Sequence, residues 1–248
     1  MIFDRVQTYN FVISSPCPRR LRINSLAPSA ALSKSENELI FASARPIRDM
    51  LPLLSDFPDN FLIGGNGSIV RNKGKIEVVQ TIDFDDFEQI KELIKQHDLD
   101  YLVDSDWNYS LRNRNDKKAN INEKVDAGRL AKNVLLIELS EIIKCNLLNV
   151  EPSKILTELS KLNVEIVQHE NTASLDITAK NINKYRTFRD YFPEEAYIAF
   201  GNDTNDVELL KHAALSVAVG KNRTLEFADI HVNKNKILDV LKEKKWQN

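Results

Sequence analysis

Tyr197-Ile198-Ala199-Phe200-Gly201-Asn202-Asp203-Thr204-Asn205-Asp206-Val207-Glu208-Leu209-Leu210 decides how this chain is read. Four apolar residues, Tyr197 to Phe200, predict a short buried strand. Gly201 makes the turn. A helix then opens with Val207, Leu209 and Leu210 on its apolar side. Strand ends in open α/β sheets are where ligands gather. Two carboxylates and two carboxamides within five residues at such an end supply oxygen donors for a hard cation such as Mg²⁺. Asn202, Asp203 and Asp206 are therefore candidate metal ligands, with Asn205 beside them. The same residue types also cap helices, which is the structural alternative.

Composition bounds what surrounds this stretch. The 248 residues carry 34 Lys and Arg against 36 Asp and Glu, a formal charge of −2. That balance offers no field for nucleic acid. Hydrophobic residues are 42% and charged residues 28%, ordinary for a globular protein. Cys17 and Cys145 lie far apart and have no metal-ligand spacing. No apolar run approaches the ~20 residues of a membrane span, and the N-terminus lacks a basic-then-apolar leader. The expectation is a cytoplasmic protein with no nucleic-acid or membrane partner.

Apolar runs and helical spacings alternate at both ends of the chain. Tyr9–Ile13 and Leu39–Ala42 read as buried strands, with a short helix over Ala27–Ser35 between them. Phe61–Ile63 is a third strand. Asn72-Lys73-Gly74-Lys75 fits a hairpin turn. After Gln80 the character changes. Asp83–His97 predicts a helix with Phe84, Phe87, Ile90, Leu93 and Ile94 inward. Tyr101–Val103, Val134–Leu139, Lys144–Leu148, Val164–Val167 and Ala173–Ile177 predict strands, and Glu151–Leu162 a helix. Alternation resumes with a helix over Asn183–Tyr191 and a strand over Leu215–Val219. The organisation expected is an α/β domain from residues 1–79 and 181–248, with an α+β domain of residues 80–180 inserted into it.

Other residues could carry chemistry. Ser43 and Arg45 sit between a strand end and a helix start, a place suited to an anion. Gly64-Gly65-Asn66-Gly67-Ser68 lets backbone approach a ligand closely. Trp107, Tyr109, Arg112, Arg114, Lys117 and Lys118 lie in a polar stretch over Ser105–Asn122 that reads as a loop, solvated or substrate-facing. The four histidines, His97, His169, His212 and His231, form no metal or triad pattern.

Four stretches, in this order, resemble the haloacid dehalogenase (HAD) superfamily, in its Cof-type, subfamily IIB branch with a large C2-type cap. They are Phe41-Ala42-Ser43-Ala44-Arg45-Pro46, Ile63-Gly64-Gly65-Asn66-Gly67-Ser68, Ile182-Asn183-Lys184, and Gly201-Asn202-Asp203-Thr204-Asn205-Asp206, with Leu215–Gly220 and Ala228-Asp229 downstream. The resemblance covers about Leu39 to Leu241. It implies a Rossmann-like core with a parallel sheet and an inserted α+β cap. It also implies Mg²⁺-dependent phosphatase chemistry on a small phosphorylated metabolite, such as a sugar phosphate. On that analogy Ser43, Ala44, Arg45, Asn66, Gly67 and Lys184 bind phosphate, Lys184 also serves catalysis, and Asn202, Asp203 and Asp206 hold the metal.

The departure is at the start. The family opens with Asp-x-Asp-Gly-Thr after its first strand, and no Asp-x-Asp precedes Ser43 here. One register keeps a nucleophile at Asp4 and puts Val6 at the acid/base position. The other uses the better strand, Tyr9–Ile13, and puts Ser14-Ser15-Pro16-Cys17 where the aspartates belong. The alternative function is a catalytically impaired HAD-fold protein that binds a phosphorylated ligand or a protein partner.

Overall fold

The structure is a computed structural model that describes residues 10–15, 38–114, 121–169, 173–233, 236–237 and 240. The helix expected over 27–35 and the candidate nucleophile Asp4 lie outside the described residues. In chain order the elements are β1 (Asn10–Ser15), β2 (Glu38–Ala42), α1 (Ile47–Met50), β3 (Phe61–Gly64), β4 (Ile69–Asn72), β5 (Lys75–Val78), α2 (Phe84–Gln96), β6 (Asp100–Asp104) and β7 (Tyr109–Arg112). They continue with α3 (Ile121–Lys124), β8 (Lys144–Leu148), α4 (Pro152–Leu159), β9 (Val164–His169), β10 (Ser174–Ala179), α5 (Lys184–Tyr191), β11 (Ala196–Gly201), α6 (Val207–Lys211), β12 (Leu215–Val219) and β13 (Ile230–Val232). Two compact units result, one of residues 1–43, 59–63 and 183–248, the other of 44–58 and 64–182.

The first unit is α/β. Its strands lie in the order β13-β12-β11-β1-β2-β3. β11, β12 and β13 pair in parallel, as do β2 and β3. Leu39 to Ala42 and Phe61 to Ile63 are buried throughout, the continuous apolar pattern of strands covered on both faces. Phe188 of α5 packs on Tyr197 of β11, ring centroids 4.5 Å apart. The Tyr197 hydroxyl donates to the Leu209 carbonyl at 2.9 Å, so α5 and α6 are both tied to β11. Gly201 is required by contact: a Cβ there would lie 2.7 Å from Asp206 Cβ and 2.9 Å from Leu210 Cδ1.

One strand runs against the others. β1 is antiparallel to both β2 and β11. Asn10 pairs with Ala42 and Phe11 with Phe200, while Ser14 pairs with Glu38 and Tyr197, and Ser15 with Ala196. Ser14 and Ser15 therefore sit beside the starts of β2 and β11. The register that put Ser14 and Ser15 at the ligand end of the sheet is corrected by this direction, because the carboxyl end of β2 lies level with Asn10; Pro16 and Cys17 of that register lie outside the described residues.

The second unit holds the β4–β5 hairpin and an antiparallel sheet in the order β7-β6-β8-β10-β9. The hairpin turns through Lys73 and Gly74, both at positive φ (48° and 82°), the conformation a two-residue hairpin loop needs. One sheet face carries Val103, Cys145, Leu147, Val164, Leu175 and Ile177, which pack with Phe87, Ile90, Leu93 and Ile94 of α2 and Ile155 and Leu159 of α4. Strand alternation puts Asp104, Lys144, Asn146, Asp176 and Thr178 on the opposite face.

Three local expectations are corrected. Phe84 heads α2 but is 75% exposed; at the first helical position its side chain has no preceding turn to lie on. The strand expected over Val134–Leu139 is instead a 3₁₀ turn at Leu136–Glu138. Leu136 and Leu139 pack on the core, whereas Leu135 and Ile137 are exposed. The loop expected over Ser105–Asn122 contains strand β7. Its arginines are engaged there: Arg114 Nε donates to Asp100 Oδ1 at 2.8 Å, Arg114 Nη1 to Asp98 Oδ2 at 2.5 Å, and Arg112 Nε to the Leu99 carbonyl at 3.1 Å.

Candidate active site

The site is built at the carboxyl ends of β2 and β11. Phe41 and Phe200 both pair with Phe11 across β1, about 10 Å apart at two strand spacings, and Ala42 and Gly201 end their strands one residue further on. Ser43 and Asn202 follow them, so the two motifs leave the sheet at the same edge. Ser43 is buried, and its N–H donates to the Ile63 carbonyl at 2.8 Å.

Lys184 reaches this region from the first position of α5. Asn183 caps that helix, its Oδ1 accepting from Arg186 N at 2.9 Å. The Lys184 ammonium is buried and donates to Asp206 Oδ1 at 2.6 Å and to Asn205 Oδ1 at 2.9 Å. One of its three N–H donors is left beyond these two bonds. Asp206 is fully buried, and its Oδ2 accepts the N–H groups of Asn202 and Asp203, both at 2.9 Å. Asp203 in turn caps the turn that follows, its Oδ1 accepting from Thr204 N at 2.7 Å. The two aspartates thus form a reciprocal capping box. Asn202 is exposed, and its carbonyl accepts from Asn222 Nδ2 at 3.3 Å. Further back along β12, level with Ala199, Ser216 donates to Asp229 Oδ2 through its N–H at 2.9 Å and its Oγ at 2.7 Å. These bonds, the backbone one foremost, hold the Asp229 carboxyl below the usual carboxylate range.

Ala44, Arg45, Asn66 and Gly67 belong to the second unit. The Arg45 carbonyl accepts from Gly65 N at 2.8 Å, fixing Arg45 to the glycine turn. Asn66 adopts φ 59° and is 7% exposed, and its Oδ1 finds no hydrogen-bond partner among the described residues.

A haloacid dehalogenase-like hydrolase family model matches residues 28–241. The chain belongs to that family. Among solved structures this HAD-family chain is similar to a phosphatase of the superfamily from Bacteroides thetaiotaomicron: 18% identity, 90% of this chain and 88% of that one, TM-score 0.68. It is likewise similar to a protein from Thermotoga maritima, with 20% identity over 88% and 89% of the two chains and TM-score 0.67. A HAD subclass IIB sugar phosphatase matches at 21% identity over 82% and 84%, with TM-score 0.65. At these identities the likeness shows the fold, a Rossmann-like core with a cap of the Cof-type. No curated protein matches.

HAD phosphatases typically use Mg²⁺, and the donor set tests that ion here. Both Asp206 oxygens are engaged, by Lys184 and by two backbone N–H groups. Asp203 Oδ1 is a cap. Asn202 offers a neutral carboxamide where the family most often has Asp. Among the described residues no three His, Cys, Asp or Glu side chains come together as a metal-binding group. The described residues therefore do not fit a Mg²⁺ site by themselves, since this hard dication is held through free carboxylate oxygens.

Several buried charged residues were not singled out by the sequence reading. Arg48 is 1% exposed. It pairs with Asp104, lies 3.3 Å from Asp49, donates to the Trp107 carbonyl at 2.9 Å, and stacks over the Tyr109 ring at 4.7 Å. Lys144 pairs with Asp176 at 2.7 Å. Burial works to lower the pKa of the Lys144 ammonium, but the Asp176 carboxylate, helped by Asp104, outweighs it and holds the lysine above its ordinary pKa. The available signal was the period-two pattern Lys144-Cys145-Asn146-Leu147 facing Leu175-Asp176-Ile177, polar at alternate positions on neighbouring strands.

Proposed function

We propose that this protein is a phosphoric-monoester hydrolase of a small phosphorylated metabolite, with a sugar phosphate as the substrate class. The observation that carries the reading is the Lys184 ammonium, buried between Asp206 and Asn205 with one N–H to spare. A fixed cation and a hydroxyl, Ser43, at the end of a sheet suit the charge of a transferring phosphoryl group. Ala44, Arg45, Asn66 and Gly67 complete the phosphate-binding set in this reading, with residues 80–180 as the cap domain and 1–79 and 181–248 as the core domain.

The direction of β1 supports Asp4 as the nucleophile. The strand begins at Asn10, level with Ala42, and Asp4 precedes it by six residues. An Asp4 carboxylate oxygen would attack phosphorus, the bond to the ester oxygen would break, and water would release phosphate from the aspartyl-phosphate. Hydrolysis of p-nitrophenyl phosphate by the purified chain, with Mg²⁺ and with EDTA, tests this against the variant Asp4→Asn. Turnover that Asp4→Asn abolishes supports the reading. Turnover unchanged by that substitution rules out Asp4.

A second reading, a phosphoester-binding protein without turnover, is favoured by Asp206 and Asn202. Asp206 is spent on Lys184 and backbone, and Asn202 is neutral. Phosphate binding by a folded chain that turns nothing over would select it.

A further inference from the structure

The first unit holds a cleft that neither reading above employs. Its volume is about 570 Å³, and Lys221, Asn222, Arg223, Glu226, His231 and Asn233 line it. That volume lies in the range of small-molecule sites. The cleft opens just past the carboxyl ends of β12 and β13, the side of an open α/β sheet where ligands gather. Gly220 closes the two strands there, its N–H donating to the Val232 carbonyl at 2.8 Å. It has φ 87°, and a Cβ built on it would meet nothing within 4 Å, so the chain turns here beside open space. Ser43, Lys184 and Asp206 do not line the cleft.

The charge of this cleft is positive. Lys221 and Arg223 are fixed cations, and Glu226 is the one carboxylate on its wall. Arg223 and Glu226 stand three residues apart across a 3₁₀ turn over Arg223–Leu225, where such side chains eclipse. Lys91 with Glu88, Lys161 with Glu158, and Lys211 with Glu208 all pair at the same spacing. Arg223 and Glu226 do not, and neither Arg223 nor Lys221 makes an ion pair among the described residues. The backbone between the two cations is held. Asn222 Oδ1 accepts from Thr224 N at 3.0 Å and Thr224 Oγ1 at 2.8 Å, and its Nδ2 donates to the Asn202 carbonyl at 3.3 Å. Both cations therefore flank an anchored residue, which lowers the ordering cost of binding.

We propose that Lys221 and Arg223 hold a second anion in this cleft, a phosphate group either free or carried on a small ester. A phosphate carries a charge of about −1.5 to −2 at pH 7, which two unpaired cations match. Arg223 supplies a planar fork of N–H donors for its oxygens, and Lys221 a point charge. The cleft is larger than a bare phosphate, and Val232 on its wall gives an organic group an apolar surface. The site is separate from the one around Lys184 and does not depend on turnover there.

Calorimetric titration of the full chain at low salt in EDTA, with inorganic phosphate and with phenyl phosphate, tests it. Lys221→Gln/Arg223→Gln removes both charges from exposed positions, so the fold is kept. Lys75→Gln/Lys161→Gln removes two exposed charges elsewhere and controls for net charge. The expected result is at least about tenfold weaker binding of inorganic phosphate in the first variant and less than about twofold in the second. A loss confined to inorganic phosphate assigns the cleft to the free anion, and a loss with phenyl phosphate as well extends it to monoesters. Phosphate held only near Lys184 would bind the first variant unchanged, which overturns the proposal. Equal losses in the two variants, or no binding by the wild type, overturn it too. Absence of p-nitrophenyl phosphate turnover would remove the hydrolase reading and leave this cleft standing.

Discussion

Asp206 holds the Lys184 ammonium with one carboxylate oxygen, at 2.6 Å, and the backbone of Asn202 and Asp203 with the other. The acidic turn and the helix that carries the lysine are thereby locked to each other. Both side chains are at most 2% exposed, so removing one leaves a buried charge without its partner. Lys184→Met is expected to destabilise the protein by about 3 to 5 kcal/mol. The double variant Lys184→Met/Asp206→Asn should recover much of this, because an asparagine oxygen can still accept from the turn backbone. Urea unfolding of the three proteins measures both; equal losses in the single and double variants would refute the account.

Asn202 stands exposed at the turn with a neutral side chain. Asn202→Asp adds a free carboxylate next to Asp203 without disturbing the Lys184–Asp206 pair. Mg²⁺ should then bind at least about tenfold more tightly, as ligand charge increases. Calorimetric Mg²⁺ titration of the two proteins checks this, and unchanged affinity would show that the turn does not face a cation.

Phe84 and Phe87 lie three residues apart on α2, yet one is 75% exposed and the other 4%. Phe87→Ala should cost about 3 to 5 kcal/mol, through lost transfer energy and a cavity. Phe84→Ala should stay within about 0.5 kcal/mol of wild type. Thermal or urea unfolding of both variants distinguishes the burial pattern seen here from one in which both rings face the core.

Burial pushes the Asp49 carboxyl up to about 6 from 3.8, and Asp104 adds to it. Arg48, the Asp126 N–H that donates to Asp49 Oδ1 at 3.1 Å, and Arg45 act in the other direction. Between those two pH values the folded chain binds more protons than the unfolded one, so the contribution of this group falls as pH rises. It is complete below about pH 4 and lost on passing about pH 6. Asp49→Asn should flatten the fall, an effect of about 1 to 3 kcal/mol. Denaturant unfolding from pH 4 to 7 reads it; parallel curves for variant and wild type would contradict it.

Much of the fold was legible in the sequence because burial leaves a period. The continuous apolar runs at Leu39–Ala42, Phe61–Ile63 and Tyr197–Phe200 became covered strands, and the spacing of Phe87, Ile90, Leu93 and Ile94 became the inner face of α2. Val134–Leu139 misled because a run of apolar residues has no period to tell a strand from a turn that buries only Leu136 and Leu139.

The sequence by itself determined the family, through four short motifs in a fixed order, and placed Ser43, Lys184 and Asp206 as polar residues at element ends. Only the tertiary structure decided what those residues do with their hydrogen bonds. Whether Asp206 is a free ligand or the anchor of Lys184 depends on which donors reach it in space, 22 residues away in the chain. The direction of β1, and with it the sheet edge at which the chain enters, was equally undetermined by composition, since the alternation of side chains is the same in either direction. The polar face of the second sheet belongs to the same class: Lys144 and Asp176 meet across strands 32 residues apart, and pairing of that kind is set by strand register, which local sequence does not encode.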